Sequence, residues 1–191
     1  MLYQILELIV STVAIVIGEA LLLRAYLQVV GAGRNPLAQF SIAVTNWIVL
    51  PLRRIIKPHR GVDWASIVGA FIIALAQVLI LTLAISALEG YLSINPLALV
   101  LQVVVIVVKW AIWLAIGLTV LYAVIGWVNP DSPLSPTLDL IMAPLLRPIR
   151  RLIRPVGGFD LSPMVLILLL LIVQLVVENG ARQLMVLALT V

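Results

Sequence analysis

Apolar positions along this chain run in long unbroken blocks, not in the alternating or one-faced patterns of soluble strands and helices. Four blocks reach the about 20 residues needed to cross about 30 Å of hydrocarbon. They run from Ile5 to Val30, Trp64 to Leu88, Leu97 to Val128 and Pro163 to about Leu184, the last followed by a short apolar tail. Turn residues separate them: Gly31-Ala-Gly33 with Asn35-Pro36, then Glu89-Gly90 with Asn95-Pro96, then Asn129-Pro130 with Ser132-Pro133. The pattern predicts an all-α integral membrane protein with four transmembrane helices.

Two further apolar runs, Phe40 to Leu52 and Leu138 to Leu146, lie inside the first and third connections. Runs of about 10 to 14 residues are too short to cross and too apolar for a solvated loop, so they are expected to be interfacial or re-entrant. The second leads into PLLRPIRRLIRP, Pro144 to Pro155, where Arg147, Arg150, Arg151 and Arg154 fall at i, i+3, i+4 and i+7. On a helix that is one cationic face, with Leu146, Ile149, Leu152 and Ile153 largely off it. The expectation is a cytoplasmic interfacial amphipathic helix in each connection, apolar side down in the headgroup layer, with flanking prolines keeping each basic helix short. Each cation there contributes about 1 kcal/mol against an anionic leaflet.

Charge fixes the expected sidedness. Arg34, Arg53, Arg54, Lys57 and Arg60 lie between spans one and two, and Arg147, Arg150, Arg151 and Arg154 between spans three and four, while Leu88 to Pro96 has no basic residue. The positive-inside rule places both basic connections in the cytoplasm and both termini outside, with Arg182 arguing mildly the other way.

Composition removes whole classes of function. With 64% hydrophobic and 10% charged residues, a soluble globular reading is set aside. The chain has no cysteine and a single histidine, His59, so it offers no disulfide framework, thiolate site or zinc centre. The net charge of +4 is explained by orientation and anionic headgroups rather than by nucleic acid. Glu7 and Glu19 inside the first block, with no Lys or Arg ahead of it, argue for a retained helix rather than a cleaved signal peptide.

The two basic connections are copies of one another. Setting Pro51 against Pro148 gives an offset of 97, and that shift aligns without a gap Pro36 with Pro133, Arg53-Arg54 with Arg150-Arg151, Pro58 with Pro155, Gly61 with Gly158, Asp63 with Asp160 and Gln77 with Gln174. Residues 1–90 and 91–191 are therefore expected to be two repeats of two spans each. Two crossings return the chain to the side it left, so the copies are parallel, related by an axis along the membrane normal. Parallel repeats occur in transporters, which leaves transport open.

These residues, together with Arg24, Gln28, Asn35-Pro36, Pro51-Leu52-Arg53-Arg54, Gly61-Val62-Asp63 and Gly157-Gly158-Phe159-Asp160-Leu161-Ser162-Pro163, resemble the YggT family of bacterial multi-pass membrane proteins, which has YlmG-type relatives in plastids. One departure is Thr45-Asn46-Trp47 where the family often has Thr-x-Pro, which bears on a bend in the first short helix. The resemblance implies a bacterial inner-membrane protein linked to osmotic or envelope stress and to the neighbourhood of cell-division genes, and in plastids to nucleoid distribution or cytochrome assembly. It implies no reaction.

The polar residues within or beside the spans carry alternative readings. Asp63 and Asp160, with Ser162, stand where spans begin and read as helix-entry caps; the sharper reading pairs each Asp with the preceding arginines. Glu19 and Lys109 lie at membrane depth, at compatible levels, so a contact between them competes with snorkelling of Lys109 beside Trp110 and Trp113. Gln77 and Gln174 occupy matching depths and are expected to bond each other or backbone carbonyls, or else to line a polar path. Glu178 and Arg182 form an i, i+4 pair near the outer surface, and Ala65, Gly69, Ala70 and Ala74 give span two a packing face.

No nucleophile with its base, no metal-ligand cluster and no phosphate loop is legible, so neither an enzyme nor a cofactor is expected. The leading functional reading is a non-enzymatic inner-membrane protein of envelope organisation or osmotic stress response. In it Arg53, Arg54, Lys57, Arg147, Arg150, Arg151 and Arg154 engage anionic membrane lipid or a cytoplasmic protein partner. The alternative is an oligomeric ion channel or small-solute transporter whose path uses Glu19, Lys109, Gln77 and Gln174. A homo-oligomer is open under either reading.

Overall fold

A computed structural model describes residues 1–33, 35–59, 61–90, 95–129, 131–152 and 160–190, the side chains of Glu89 and of 185–190 excepted. Six helices account for nearly all of it: α1 (Leu2–Val30), α2 (Pro36–Ile55), α3 (Trp64–Glu89), α4 (Pro96–Val128), α5 (Ser135–Leu152) and α6 (Ser162–Thr190). α1, α3, α4 and α6 are long and apolar enough to cross a membrane. At 33 residues α4 is about 50 Å long, more than the hydrocarbon thickness, which favours a tilted or protruding helix.

The turn residues act as the pattern predicts. Gly31, in the left-handed region at φ 78°, ends α1 while the Ala32 N–H reaches back to the Leu27 carbonyl at 2.9 Å. Asn35 caps α2 by accepting from the Ala38 N–H at 2.8 Å, with Pro36 in the first turn, and Asn95 with Pro96 opens α4 in the same way. Between α2 and α3, His59 and Val62 exchange backbone hydrogen bonds across a tight turn with Gly61 at φ 80°.

The short helices differ from expectation in two respects. First, the prolines do not bound them: α2 continues through Pro51 and α5 through Pro144 and Pro148, so each apolar run and its arginines form one helix. The reason is positional. Those prolines, and Trp47, Leu140 and Pro144, whose carbonyls lose their donors, are all exposed, so the freed oxygens can be solvated. Trp47 likewise leaves α2 unbroken, its indole N–H donating to the Val44 carbonyl at 2.8 Å.

Second, the apolar face of α5 lies against protein and not against lipid. Ile141, Met142, Leu146 and Ile149 are buried in a core with Leu23 and Leu27 of α1, Leu118 of α4 and Leu166 of α6. Leu152 is exposed as expected for a residue outside that core, and Ile153 and Arg154 lie outside the described residues. The Tyr26 hydroxyl donates to the Ile141 carbonyl at 2.6 Å, tying the end of α1 to α5.

Packing among the long helices uses small residues, as lipid supplies no hydrophobic drive between helices. Ala65 and Ala70 of α3 are fully buried against α1 and α2, Ala74 is fully buried against α1 and α4, and a Cβ on Gly69 would meet Leu21 and Ile48 at 3.2 Å. Gly18 of α1 receives the indole of Trp110 of α4, a contact that leaves no room for a Cβ. The C-terminal half of α1 thus lies along that of α4, and α6 packs on the outer flank of α4 with Leu168, Leu169, Ile172 and Leu175 exposed.

Candidate functional site

Two charged clusters form at the end of the bundle where α2 and α5 lie. In the first, Asp63 stands at the start of α3, completely buried, and gathers cations from two other helices. Arg53, in the last turn of α2, donates from Nε at 3.4 Å and from Nη2 at 2.5 Å; Arg24 of α1 brings its Nε to 3.5 Å; and the Ser66 hydroxyl donates at 2.8 Å. Arg24, itself buried, is steadied by α2 through Thr45 Oγ1 and Asn46 Oδ1, each 3.0 Å from its Nη1.

Burial would raise the Asp63 carboxyl, but hydrogen bonds from Arg53 and Ser66 and the nearby guanidinium charges outweigh it and hold the group below its ordinary range. A carboxylate this enclosed persists because it is paired and fully hydrogen-bonded.

The second cluster repeats the first at its centre. Arg150 of α5 donates to Asp160 Oδ2 from Nε at 2.9 Å and Nη2 at 2.7 Å, and Asp160 Oδ1 accepts from the Ser162 N–H at 2.9 Å. Burial tends to raise Asp160, and bonds with Ser162 and Arg150 bring it below its ordinary value; burial tends to lower Arg150, and Asp160 and Tyr122 raise it instead. Arg53–Asp63 and Arg150–Asp160 both span ten residues and both link the end of a short helix to the start of a long one.

Of the two readings for these acids, pairing with arginine describes both. Asp160 caps as well, and it rather than Ser162 supplies the accepting oxygen; Asp63 makes no side-chain capping bond.

Around these matching pairs the clusters differ. Leu121 occupies the position that the 97-residue offset assigns to Arg24, and Asp139 that of Ile42. In the second cluster the Tyr122 hydroxyl accepts from Arg150 at 2.6 Å and donates to Asp139 Oδ1 at 2.9 Å. Among the described residues the first cluster therefore holds two arginines and one carboxylate, the second one arginine and two carboxylates.

The predicted cationic face is divided. Arg53 and Arg150 turn inward to their aspartates, whereas Arg54, Lys57, Arg147 and Arg151 are exposed, and Arg154 lies outside the described residues. The division could not be read from helical spacing, since it depends on where the partner acid sits in the next helix.

At membrane depth the pairing also differs from expectation. Lys109 contacts Glu178 of α6 at 3.1 Å, not Glu19, and Glu178 accepts from Gln174 Nε2 at 3.0 Å instead of pairing with Arg182. Gln77 donates to Ser11 Oγ of α1 at 3.2 Å, so the two glutamines do not meet. Each glutamine leaves its Oε1 buried and without a donor among the described residues. Glu19 is half-buried and has no hydrogen-bond or ion-pair partner among them. Sequence reasoning did not select Arg24, Tyr122 or Asp139 as site residues. A lone arginine within an apolar block was the available signal for Arg24.

The family described as CCB3/YggT matches residues 1–84 and 101–181, two stretches consistent with two tandem repeats. An uncharacterised YggT protein of Escherichia coli K12 is 33% identical over 172 residues, covering 89% of this chain and 87% of that protein. A protein of Vibrio alginolyticus, described by its place in the proC 3' region, is 30% identical over 84% of this chain and 86% of its own length. An uncharacterised protein of Pseudomonas aeruginosa is 33% identical over 83% of this chain and 81% of its own. None of these names is that of an enzyme. No solved structure matches the chain.

Proposed function

Since the chain belongs to the CCB3/YggT family, we propose that it is a non-enzymatic multi-pass protein of the bacterial inner membrane, acting in envelope organisation or osmotic stress response. Its residues 1–90 and 91–191 act as two parallel copies. The exposed cations of α2 and α5 engage anionic lipid or a cytoplasmic protein at the inner leaflet, and both termini lie outside.

The observation that carries this reading is the division of the cations. Arg53 and Arg150 hold the short helices to the bundle, and Arg54, Lys57, Arg147 and Arg151 remain exposed beside them. At about 1 kcal/mol each, four such charges give a substantial preference for an anionic leaflet. The test is association of spin-labelled phosphatidylglycerol, relative to phosphatidylcholine, with the full chain in lipid bilayers. Replacing the four residues with Gln is expected to reduce the preference, as is raising salt; a preference unchanged by the four substitutions overturns this lipid role.

A second reading, an oligomeric ion channel or small-solute transporter, is favoured by Glu19, an ionisable side chain at membrane depth with no partner among the described residues. Ion flux through purified protein in sealed anionic liposomes, with an osmotic step, separates the two. Flux lost in Glu19→Gln and Lys109→Met supports a path; silence in folded, oriented protein supports the scaffold.

A further inference from the structure

Beside the first cluster, between the end of α1 and the start of α2, lies a cavity of about 280 Å³ lined by Arg24, Gln28, Ser41, Ile42 and Arg53 and by the backbone at Gly31 and Gly33. That volume falls just below the roughly 300 to 1,000 Å³ of drug-sized sites and suits a compact group. Arg24 and Arg53 both line it, and among the described residues no carboxylate does.

The Asp63 carboxylate does not exhaust these cations. Arg24 spends Nε on Asp63 and Nη1 on Thr45 and Asn46; Arg53 spends Nε and Nη2 on Asp63, and Nη2 also on Gln28 Oε1 at 3.4 Å. Arg24 Nη2, Arg53 Nη1 and Gln28 Nε2 therefore carry N–H groups with no acceptor among the described residues. The lining thus presents unspent donors and one uncompensated positive charge, which is the chemistry of an oxyanion site, and guanidinium groups match phosphate geometry.

The corresponding place in the second half provides an internal contrast. A cavity of about 230 Å³ there is lined by Tyr122, Ile125, Ser135, Leu138 and Asp139, the last four standing 97 residues after Gln28, Ala38, Ser41 and Ile42. The amide donor has become isoleucine and an aspartate has entered, so this cavity repels what the first attracts.

We propose that the α1–α2 cavity binds a phosphate group, either free phosphate or the phosphate of a lipid headgroup, between Arg24 and Arg53 with Gln28 as a further donor. The site is separate from the exposed cations Arg54, Lys57, Arg147 and Arg151, and it stands or falls independently of them.

The second half suggests the test. Ile42→Asp introduces at an exposed position the acid that Asp139 supplies there and leaves the Arg24, Arg53 and Asp63 side chains in place; Ile42→Asn is the uncharged control. Inorganic phosphate is titrated calorimetrically into the full chain in phosphatidylcholine nanodiscs, and retention of phosphatidylglycerol is read by native mass spectrometry. Wild-type protein binds at least one probe: phosphate identifies the free anion, phosphatidylglycerol alone the headgroup. Ile42→Asp weakens that binding by about tenfold or more, from one opposed charge close to the site, while Ile42→Asn stays within about twofold. Failure of the wild type to bind either probe, or equal binding by the two variants, overturns the proposal.

Discussion

Arg53 and Asp63 join α2 to the start of α3 through two hydrogen bonds, one to each carboxylate oxygen, and Arg150 and Asp160 join α5 to the start of α6 through two that share one oxygen. Each pair fastens a short helix to the next long one. They differ in burial: Asp63 is completely enclosed, whereas Asp160 retains 28% of its exposure.

Removing the enclosed acid is expected to be the more damaging change. Asp63→Ala leaves Arg24 buried without its counter-charge and should cost about 3–5 kcal/mol. Asp160→Ala, whose partners reach solvent, should cost about 1–2 kcal/mol. Equilibrium unfolding of the full chain in mixed micelles measures both, and equal losses would contradict the burial ranking.

Acid should loosen both attachments. The folded-state values of Asp63 and Asp160 lie below the ordinary carboxyl value of 3.8, so their contribution is fully present above that value and is lost as pH falls through the depressed ones. Stability should be flat with respect to these groups between about pH 5 and 8 and decline below about pH 4. Asp63→Asn should flatten the acid limb; an unchanged limb in that variant would remove Asp63 as its source.

Pairing at membrane depth makes a contrast of additivity. Lys109→Met and Glu178→Gln should be non-additive, because either change alone strands the other charge. Lys109→Met and Glu19→Gln should add, since those residues do not touch. Unfolding midpoints of the single and double variants decide between the two assignments.

Close approach of α1 and α4 predicts an intolerance at Gly18. Gly18→Ala drives its Cβ into the Trp110 ring and should cost about 1–3 kcal/mol by overpacking, and Trp110→Leu in the same chain should recover part of the loss. A neutral Gly18→Ala would show that the helices can separate there at no cost.

Much of this architecture is legible in the sequence. Spans are the clearest part, because an apolar run of that length has few other uses, and Gly31, Asn35 and Asn95 end or cap helices where the turn signals place them. The two Arg–Asp pairs were also within reach, since the 97-residue offset matches both members of each. Partners around the long helices were not. Glu19 and Lys109 have compatible depths, but helices that are apolar all round give no sign of which face meets which neighbour, and Glu178 lay on the facing side of α6. Prolines misled for a related reason: Pro51, Pro144 and Pro148 look like boundaries, and only their exposure explains why the helices pass through them.

Opposite surpluses in the two clusters give the molecule a polarity within the plane of the membrane. One flank carries Arg24 and Arg53 around a single acid, and the other carries Asp139 and Asp160 around a single arginine. Two identical chains meeting about a two-fold axis would bear the same residues at both places, whereas one chain holding both halves in tandem carries different ones. A charged group approaching in that plane meets a positive surplus on one flank and a negative surplus on the other.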